Sequence, residues 1–351
     1  MAERKMSKAR RSAVKIAFLN MHHASAMRGG EVFVEALSER LRKRHEIDII
    51  AGRYLYHTRW PILWRLFLDP HGIAGLWFTL KNLRKLFSEK YDIVIPMNGG
   101  WQAIMVRVVT FLYGGRMVVS GQSGIGWDDR VNLWSFPDLF VAPTEKATRW
   151  ARRVNPFVKS VYTPNGVDLK KFTPGGKRFK HGLEHPVILT VGALNGQKRI
   201  SLVIRAAAHL EASLLVVGDG PDKDKLQSLG DKLLNGRFKI IKMRHDLMPE
   251  IYCSADVFVL VSNEREAFGL VYLEAMASSL ALVATDDEQR REIVGDAGIL
   301  VEDPEDPRQL ARAIKKALKK RWNSAPRRQA EKFNWDSIAG KYEELFLDLV
   351  K

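Results

Sequence analysis

Cysteine is almost missing from this sequence: Cys253 stands alone among 351 residues. That excludes an internal disulfide framework and points to a reducing compartment. No uncharged stretch approaches the roughly 18 apolar residues of a membrane-spanning helix. There is no short-period repeat. With 27% charged and 46% hydrophobic residues, the chain is neither low-complexity nor disordered. The basic stretch Met1 to Lys15 runs straight into a strand-like segment without a separate apolar core and small-residue cleavage site, so no signal peptide is expected. Acidic residues are also scarce. Asp and Glu number 40 against 56 Lys and Arg, which leaves a formal charge of +16. Such an excess favours anionic partners: phosphorylated ligands, an acidic membrane surface or nucleic acid.

Several familiar motifs are missing too. Gly121-x-x-Gly124-x-Gly126 follows a strand-like run, but its spacing is not the dinucleotide fingerprint. Gly192 to Lys198 lacks the Gly-Lys-Ser/Thr ending of a P-loop. The histidines show no metal-ligand spacing. Asp222-x-Asp224 follows Gly220-Pro221 and reads as acids opening a helix. No metal site is expected.

What is present is alternation. Short apolar runs recur at Lys15 to Leu19, Ile47 to Ile50, Ile93 to Ile95, Met117 to Val119 and Leu139 to Ala142. They recur again at Val187 to Val191, Leu214 to Val217, Lys239 to Ile241, Val257 to Val261 and Leu282 to Ala284. Several are apolar throughout, as strands covered on both faces are. Helical patterns lie between them; in Glu31 to Leu41 the apolar residues share one face. Strands alternating with helices imply βαβ units and parallel sheets. At about 150 residues per domain, two such series fit two doubly wound domains. The turn-rich stretch Tyr162 to Asp168 marks the boundary. Residues 1–163 are read as an N-terminal Rossmann-like domain and residues 164–334 as a C-terminal one. A cleft facing the carboxyl ends of both sets of strands is the expected ligand site.

The most informative stretch is Glu266-Ala267-Phe268-Gly269-Leu270-Val271-Tyr272-Leu273-Glu274. Gly269 sits at a loop-to-helix transition, and Leu270, Leu273 and Ala277 keep helical spacing. A helix start with free N–H groups and the positive end of its dipole suits a phosphate. Read bottom-up, the stretch is either an anion site flanked by two carboxylates or an amphipathic helix with two solvated glutamates.

This stretch resembles the Glu-x7-Glu motif of the retaining glycosyltransferases of family 4, which have the GT-B fold. Other pieces fall in the family's order. Gly29-Gly30-Glu31 resembles its glycine-rich loop, Pro164-Asn165-Gly166-Val167-Asp168 its interdomain signature, and Val191-Gly192-Ala193-Leu194 with Lys198 its phosphate loop. Val216 to Pro221 also match, and the tail from Asn334 to Val350 resembles the family's closing helix; the resemblance implies that 1–163 is the acceptor side with a candidate membrane face, that 164–334 is the donor side, and that the C-terminal helix 335–351 crosses back to the first domain. The resemblance implies an α/β, GT-B architecture and a transferase that takes a sugar from a UDP- or GDP-linked donor with retention, usually without a metal. It implies that Lys198 contacts the donor diphosphate and that Glu274 binds ribose hydroxyls. Glu266, with the backbone at Phe268, Gly269 and Leu270, holds the transferring sugar. Gly29 and Gly30 let the backbone approach the donor, and His245 lies where the base is met. Departures are Ala193 in place of an arginine, with Arg199 as a substitute cation for the donor, and Gln122 where many members carry a histidine. Ser278-Ser279-Leu280-Ala281 and Asp287-Glu288 also replace more usual turns. Gln122, Trp127 and Asp128 are candidate acceptor contacts, the last two in a loop.

Between Gly52 and Lys90, aromatic residues mix with an excess of Arg and Lys. The stripe Leu76, Leu80, Leu83, Phe87 either packs on the N-terminal sheet or lies in a membrane interface. The expected acceptor is therefore lipid-linked or a cell-envelope glycan. The expected location is cytoplasmic, peripheral at the inner face of an anionic membrane, and no nucleic-acid partner is expected. Two alternatives stay open: a GT-B phosphorylase or nucleotide-sugar epimerase, and a degenerate, non-catalytic polyanion binder favoured by Ala193.

Overall fold

Apolar runs of four to six residues become strands because a sheet covered by helices on both faces leaves no side for polar residues. The computed structural model describes residues 13–24, 29–54, 60 and 62–351. Its first series is β1 (Lys15–Asn20), α1 (Gly29–Leu41), β2 (Glu46–Ala51), α2 (Pro70–Glu89), β3 (Ile93–Pro96), α3 (Trp101–Tyr113), β4 (Arg116–Ser120), α4 (Trp127–Trp134), β5 (Leu139–Ala142), α5 (Glu145–Val154) and β6 (Ser160–Tyr162). The second is β7 (Val187–Val191), α6 (Ile200–Ala207), β8 (Ser213–Val217), α7 (Lys223–Leu234), β9 (Phe238–Ile241), α8 (Met248–Cys253), β10 (Val257–Leu260), α9 (Leu270–Ala277), β11 (Leu282–Thr285), α10 (Glu288–Val294), β12 (Gly298–Val301), α11 (Pro307–Lys319) and α12 (Ala325–Glu331). Helix α13 (Trp335–Leu349) closes the chain.

Two compact units result. One runs to Asn165 and takes back Trp335–Lys351; the other is Gly166–Asn334. Each holds a six-stranded parallel sheet, ordered β2-β1-β3-β4-β5-β6 in the first and β12-β11-β10-β7-β8-β9 in the second. Every anticipated apolar run is a strand. The edge strands β6 and β12 were not anticipated: β6 has three residues, and β12 is partly exposed along most of its length.

In the first unit, β1 steps to β2 in one direction and every later strand steps the other way. Right-handed crossovers then place α1 on one face and α2 to α5 on the opposite face. The core agrees: Phe78, Leu86, Val106, Val109, Leu133 and Ala151 pack with Ala17, Leu19, Val94 and Met117. On the other face α13 covers α1, with the Phe33 ring 5.8 Å from both Trp335 and Tyr342, and Arg40 Nε donates to Asp336 at 2.8 Å.

The helix α2 splits the stripe whose placement was left open, with Leu83 against the core. Its sheet-facing side is Gly72, Gly75, Phe78, Thr79 and Leu86, while Leu80 and Phe87 of the anticipated stripe are exposed together with Ile73 and Trp77. Gly72 allows a close approach to the preceding loop. A Cβ on Gly72 would lie 2.2 Å from the Phe67 carbonyl oxygen. Asp69 caps the helix by accepting from the Gly72 N–H at 2.8 Å. Two corrections concern loops. Gly29 and Gly30 stand in the first turn of α1, and Trp127 and Asp128 in the first turn of α4, rather than in loops.

Candidate active site

In the second unit the anticipated residues gather at the carboxyl ends of β7 and β10. Lys198 Nζ donates to Glu266 Oε2, and both side chains are largely buried. Lys198 reaches that carboxylate by lying across Gly192, where a Cβ would sit 3.4 Å from its methylenes. Gly269 caps α9 in the left-handed region at φ 87°, and a Cβ there would strike the Tyr272 ring at 2.6 Å. Glycine is therefore required at this turn. The Phe268 side chain belongs to the core, against Phe333, so the backbone alone faces the site. The Phe268, Gly269 and Leu270 N–H groups donate to no backbone carbonyl among the described residues. They provide the positive helix end that an anion uses.

Glu266 and Glu274 are both buried, which removes the reading of two solvated glutamates. Glu274 accepts from the Tyr252 hydroxyl at 2.8 Å and lies 2.9 Å from His245 Nε2. The other ring nitrogen, Nδ1, is 3.2 Å from Lys171 Nζ. An ammonium can only donate, so Nδ1 accepts and Nε2–H donates to Glu274. Burial, followed by the charge and hydrogen bond of Glu274, holds the Tyr252 hydroxyl protonated well above the ordinary tyrosine range. Each carboxylate oxygen thus has one fixed donor and a lone pair to spare.

The loop 261–266 that carries Glu266 is tied down by cations. Arg199 donates from Nε to the Val261 carbonyl at 2.8 Å and from Nη2 toward Ser262 and Thr285. Its guanidinium is committed to holding the loop, which corrects the expectation that it substitutes for the missing arginine toward a donor. Arg290, buried in α10, donates to Ser262 Oγ at 2.7 Å and the Asn263 carbonyl at 2.9 Å, and pairs with Asp287. Asp287 also caps α10 by accepting from the Arg290 N–H. The unusual turn at Asp287-Glu288 therefore has a cause: it supplies the counter-charge of a buried arginine. Tyr252, Lys171 and Arg290 were not singled out by sequence reasoning. These contacts join residues 22 to 74 positions apart, and no spacing records them. Asp287, the partner of Arg290 three positions away, was the one visible signal.

In the first unit a cavity of about 310 Å³ is lined by Asn20, His22, Gly30, Glu31, Gln122 and Asp128, among others. A methyl group built on Gly30 would meet nothing within 4 Å, so the backbone is open there. The Asn20 amide donates to Glu31 at 3.1 Å, and the His22 ring stacks on His71 at 5.4 Å. Gln122 exchanges two hydrogen bonds of 2.9 Å with buried Asn165 of the Pro-Asn-Gly turn, which fixes its amide at the cavity wall. Trp127 is turned away to donate to the Arg65 carbonyl at 2.7 Å. Beside Asp128, the buried Asp129 carboxyl is pushed up to about 8 by burial, with repulsion from Asp128 adding to it. Sequence reasoning passed over Asp129 because only burial distinguishes it from its neighbour. Among the described residues no cluster of His, Cys, Asp or Glu could hold a metal ion.

Two family models match successive parts of the chain: Glycosyltransferase Family 4 over residues 27–171 and Glycosyl transferases group 1 over residues 176–334. The chain belongs to the family 4 type of glycosyltransferases. Its curated relatives include sulfoquinovosyl transferase SQD2 of Arabidopsis thaliana, 31% identical over 50% of this chain and 37% of that one. A GDP-mannose-dependent alpha-mannosyltransferase of Mycobacterium tuberculosis is 30% identical over 56% and 50% respectively. This glycosyltransferase-family chain thus matches at most half the length of those relatives. Among solved structures, Anabaena HepE in complex with UDP and glucose superposes with a TM-score of 0.74 at 18% identity, over 95% of this chain and 99% of that one. That likeness is one of fold, and the fold is GT-B.

Proposed function

We propose that this chain is a retaining glycosyltransferase that moves a sugar from a UDP- or GDP-linked donor, without a metal, to a lipid-linked or cell-envelope glycan acceptor. The observation that carries it is a pair of buried carboxylates, Glu266 and Glu274, on either side of the open helix start at Gly269, with Lys198 in contact with the first. In this reading Lys198 and the N–H groups of residues 268–270 stabilise the charge that builds on the departing diphosphate, without reorganising. Glu274, oriented by Tyr252 and His245, accepts from ribose hydroxyls. Glu266 accepts from hydroxyls of the transferring sugar. The cavity beside Gly30, Gln122 and Asp128 suits a polyhydroxylated acceptor, because its walls offer both amide and carboxylate groups. Two relatives support a nucleotide-sugar donor: Anabaena HepE is in complex with UDP and glucose, and the mycobacterial mannosyltransferase is GDP-mannose-dependent.

A donor panel with turnover measured for Lys198→Ala and Glu274→Ala tests the proposal. Removing one such electrostatic donor is expected to cost about 10²–10³-fold in kcat for Lys198→Ala, and Glu274→Ala is expected to raise KM for the donor. Turnover untouched by both substitutions would refute the assignment. A second reading, a non-catalytic polyanion binder, draws on Ala193 and on the engagement of Arg199 with backbone carbonyls. Calorimetry separates the two: saturable binding of UDP or GDP supports the transferase, whereas only steeply salt-dependent affinity supports the binder.

A further inference from the structure

Seven of the exposed large apolar side chains of the first unit gather on two adjoining helices. On α2 they are Ile73, Trp77, Leu80 and Phe87, spaced as one helical stripe, and Trp77 is 54% exposed. On α3, which packs beside α2 on the same sheet face, they are Val108, Phe111 and Leu112, with Phe111 75% exposed. The Phe87 and Tyr113 rings meet edge-on at 6.3 Å and join the two stripes at the ends of their helices. Single exposed apolar residues are ordinary, but two adjoining stripes mark an interaction surface. The second unit provides the control. It has the same architecture, yet among its described residues Leu247 is the sole large apolar side chain exposed to a comparable degree, at 38%.

Charge selects the partner. Between Pro70 and Ser88, α2 carries Lys81, Arg84 and Lys85 and no acid; Lys85 pairs with Asp48 and the Arg107 of α3 with Asp138, so Lys81 and Arg84 carry the charge of this face. The Lys81 ammonium lies 5.2 Å over the Trp77 ring, so cation and aromatic face outward together. A second copy of this face would set these cations against themselves. A bilayer with anionic lipids offers both an apolar layer and a negative potential at the same depth. We propose that the α2–α3 face is a docking surface for an anionic lipid bilayer. It lies in the headgroup region; among the described residues no helix is long and apolar enough to cross. Its use in bringing a lipid-linked acceptor to the enzyme rests on the transferase reading, whereas the docking does not.

Flotation of the full chain tests this with vesicles of phosphatidylcholine alone and with added phosphatidylglycerol. The chain is expected to float with the anionic vesicles and to stay behind with the neutral ones. Lys81→Gln with Arg84→Gln is expected to lower partitioning about tenfold or more, at roughly fivefold per charge. Trp77→Ser with Phe111→Ser is expected to lower it by at least about tenfold. Both double variants should melt like the parent and bind the nucleotide like the parent. Glu274→Ala should float like the parent, so a failed transferase reading leaves this result standing. Equal flotation with both vesicles, or undiminished flotation of both double variants, would overturn the proposal. So would a dimer, seen by sedimentation equilibrium, that Trp77→Ser with Phe111→Ser dissociates.

Discussion

The two units share one architecture and treat polarity in opposite ways. The second buries charge and pairs it: Arg290 with Asp287, Lys198 with Glu266, Glu274 with His245 and Tyr252. The first turns aromatic and aliphatic side chains outward along α2 and α3. Among its buried carboxyls, Asp129 lies against the neutral amide of Asn132 and beside a second acid. A sheet of six parallel strands tolerates either surface, because its stability comes from the apolar layers on its two faces. What sits at the strand ends and on the outer helices is free for chemistry. Paired buried charge fixes geometry for a charged ligand; unpaired apolar surface serves for docking.

The sharpest way to break this contrast is to remove the paired charge that orders the loop 261–266. Arg290→Met leaves Asp287 without its counter-charge and the Ser262 and Asn263 acceptors without the guanidinium donor. It is expected to lower unfolding stability in urea by about 3–5 kcal/mol; a loss under about 1 kcal/mol would mean the network is incidental.

Next comes the unpaired carboxyl. Asp129 keeps its proton to about 8 in the native state, while an unfolded carboxyl releases it near pH 4. Between those values the unfolded chain binds fewer protons, so stability falls as pH rises, and the loss is complete above about pH 8. Asp129→Asn should abolish that slope. Its advantage over the parent should grow from near zero at about pH 4 to a few kcal/mol at about pH 8. Parallel pH–stability curves for parent and variant would contradict the burial argument.

A smaller effect is expected at Lys171. Lys171→Met removes the donor that fixes the His245 ring. KM for the nucleotide-sugar should rise about fivefold, the worth of one hydrogen bond of roughly 1 kcal/mol, with kcat unchanged. A fall in kcat at constant KM would place Lys171 in the chemistry instead. Smallest of all is Ser279→Gly. Ser279 holds φ at 65°, a left-handed conformation that glycine adopts without strain. Melting should show a gain of about 0.5–1 kcal/mol, and a loss would show that the serine side chain is needed.

Much of the fold could be read from residue order. Continuous apolar runs such as Val187–Val191 and Leu139–Ala142 appear as strands with those bounds, because burial on both faces excludes alternation. β6 escaped because Ser160-Val161-Tyr162 is too short to show a pattern, and β12 because an edge strand is buried on fewer sides. In the site, the order of Glu266, Gly269 and Glu274 was legible because their spacing follows the turn and the first helical turns, whereas Lys198, 68 positions from Glu266, was singled out by the resemblance alone. Arg199 was misassigned because sequence shows a cation near a phosphate loop but not the carbonyls it faces.

By itself the sequence determined the order of strands and helices, the helix start at Gly269 and the excess of positive charge, since each of these is written in neighbouring residues. Only the tertiary structure decided which side of α2 is buried. Its apolar residues surround the helix, so sequence alone offers more than one apolar side; in the fold Phe78 and Leu86 enter the core while Trp77, Leu80 and Phe87 stay exposed. Only the tertiary structure, likewise, brought Lys171, His245 and Tyr252 to Glu274, because hydrogen bonds between residues so far apart along the chain form where folding places the groups within about 3 Å of each other.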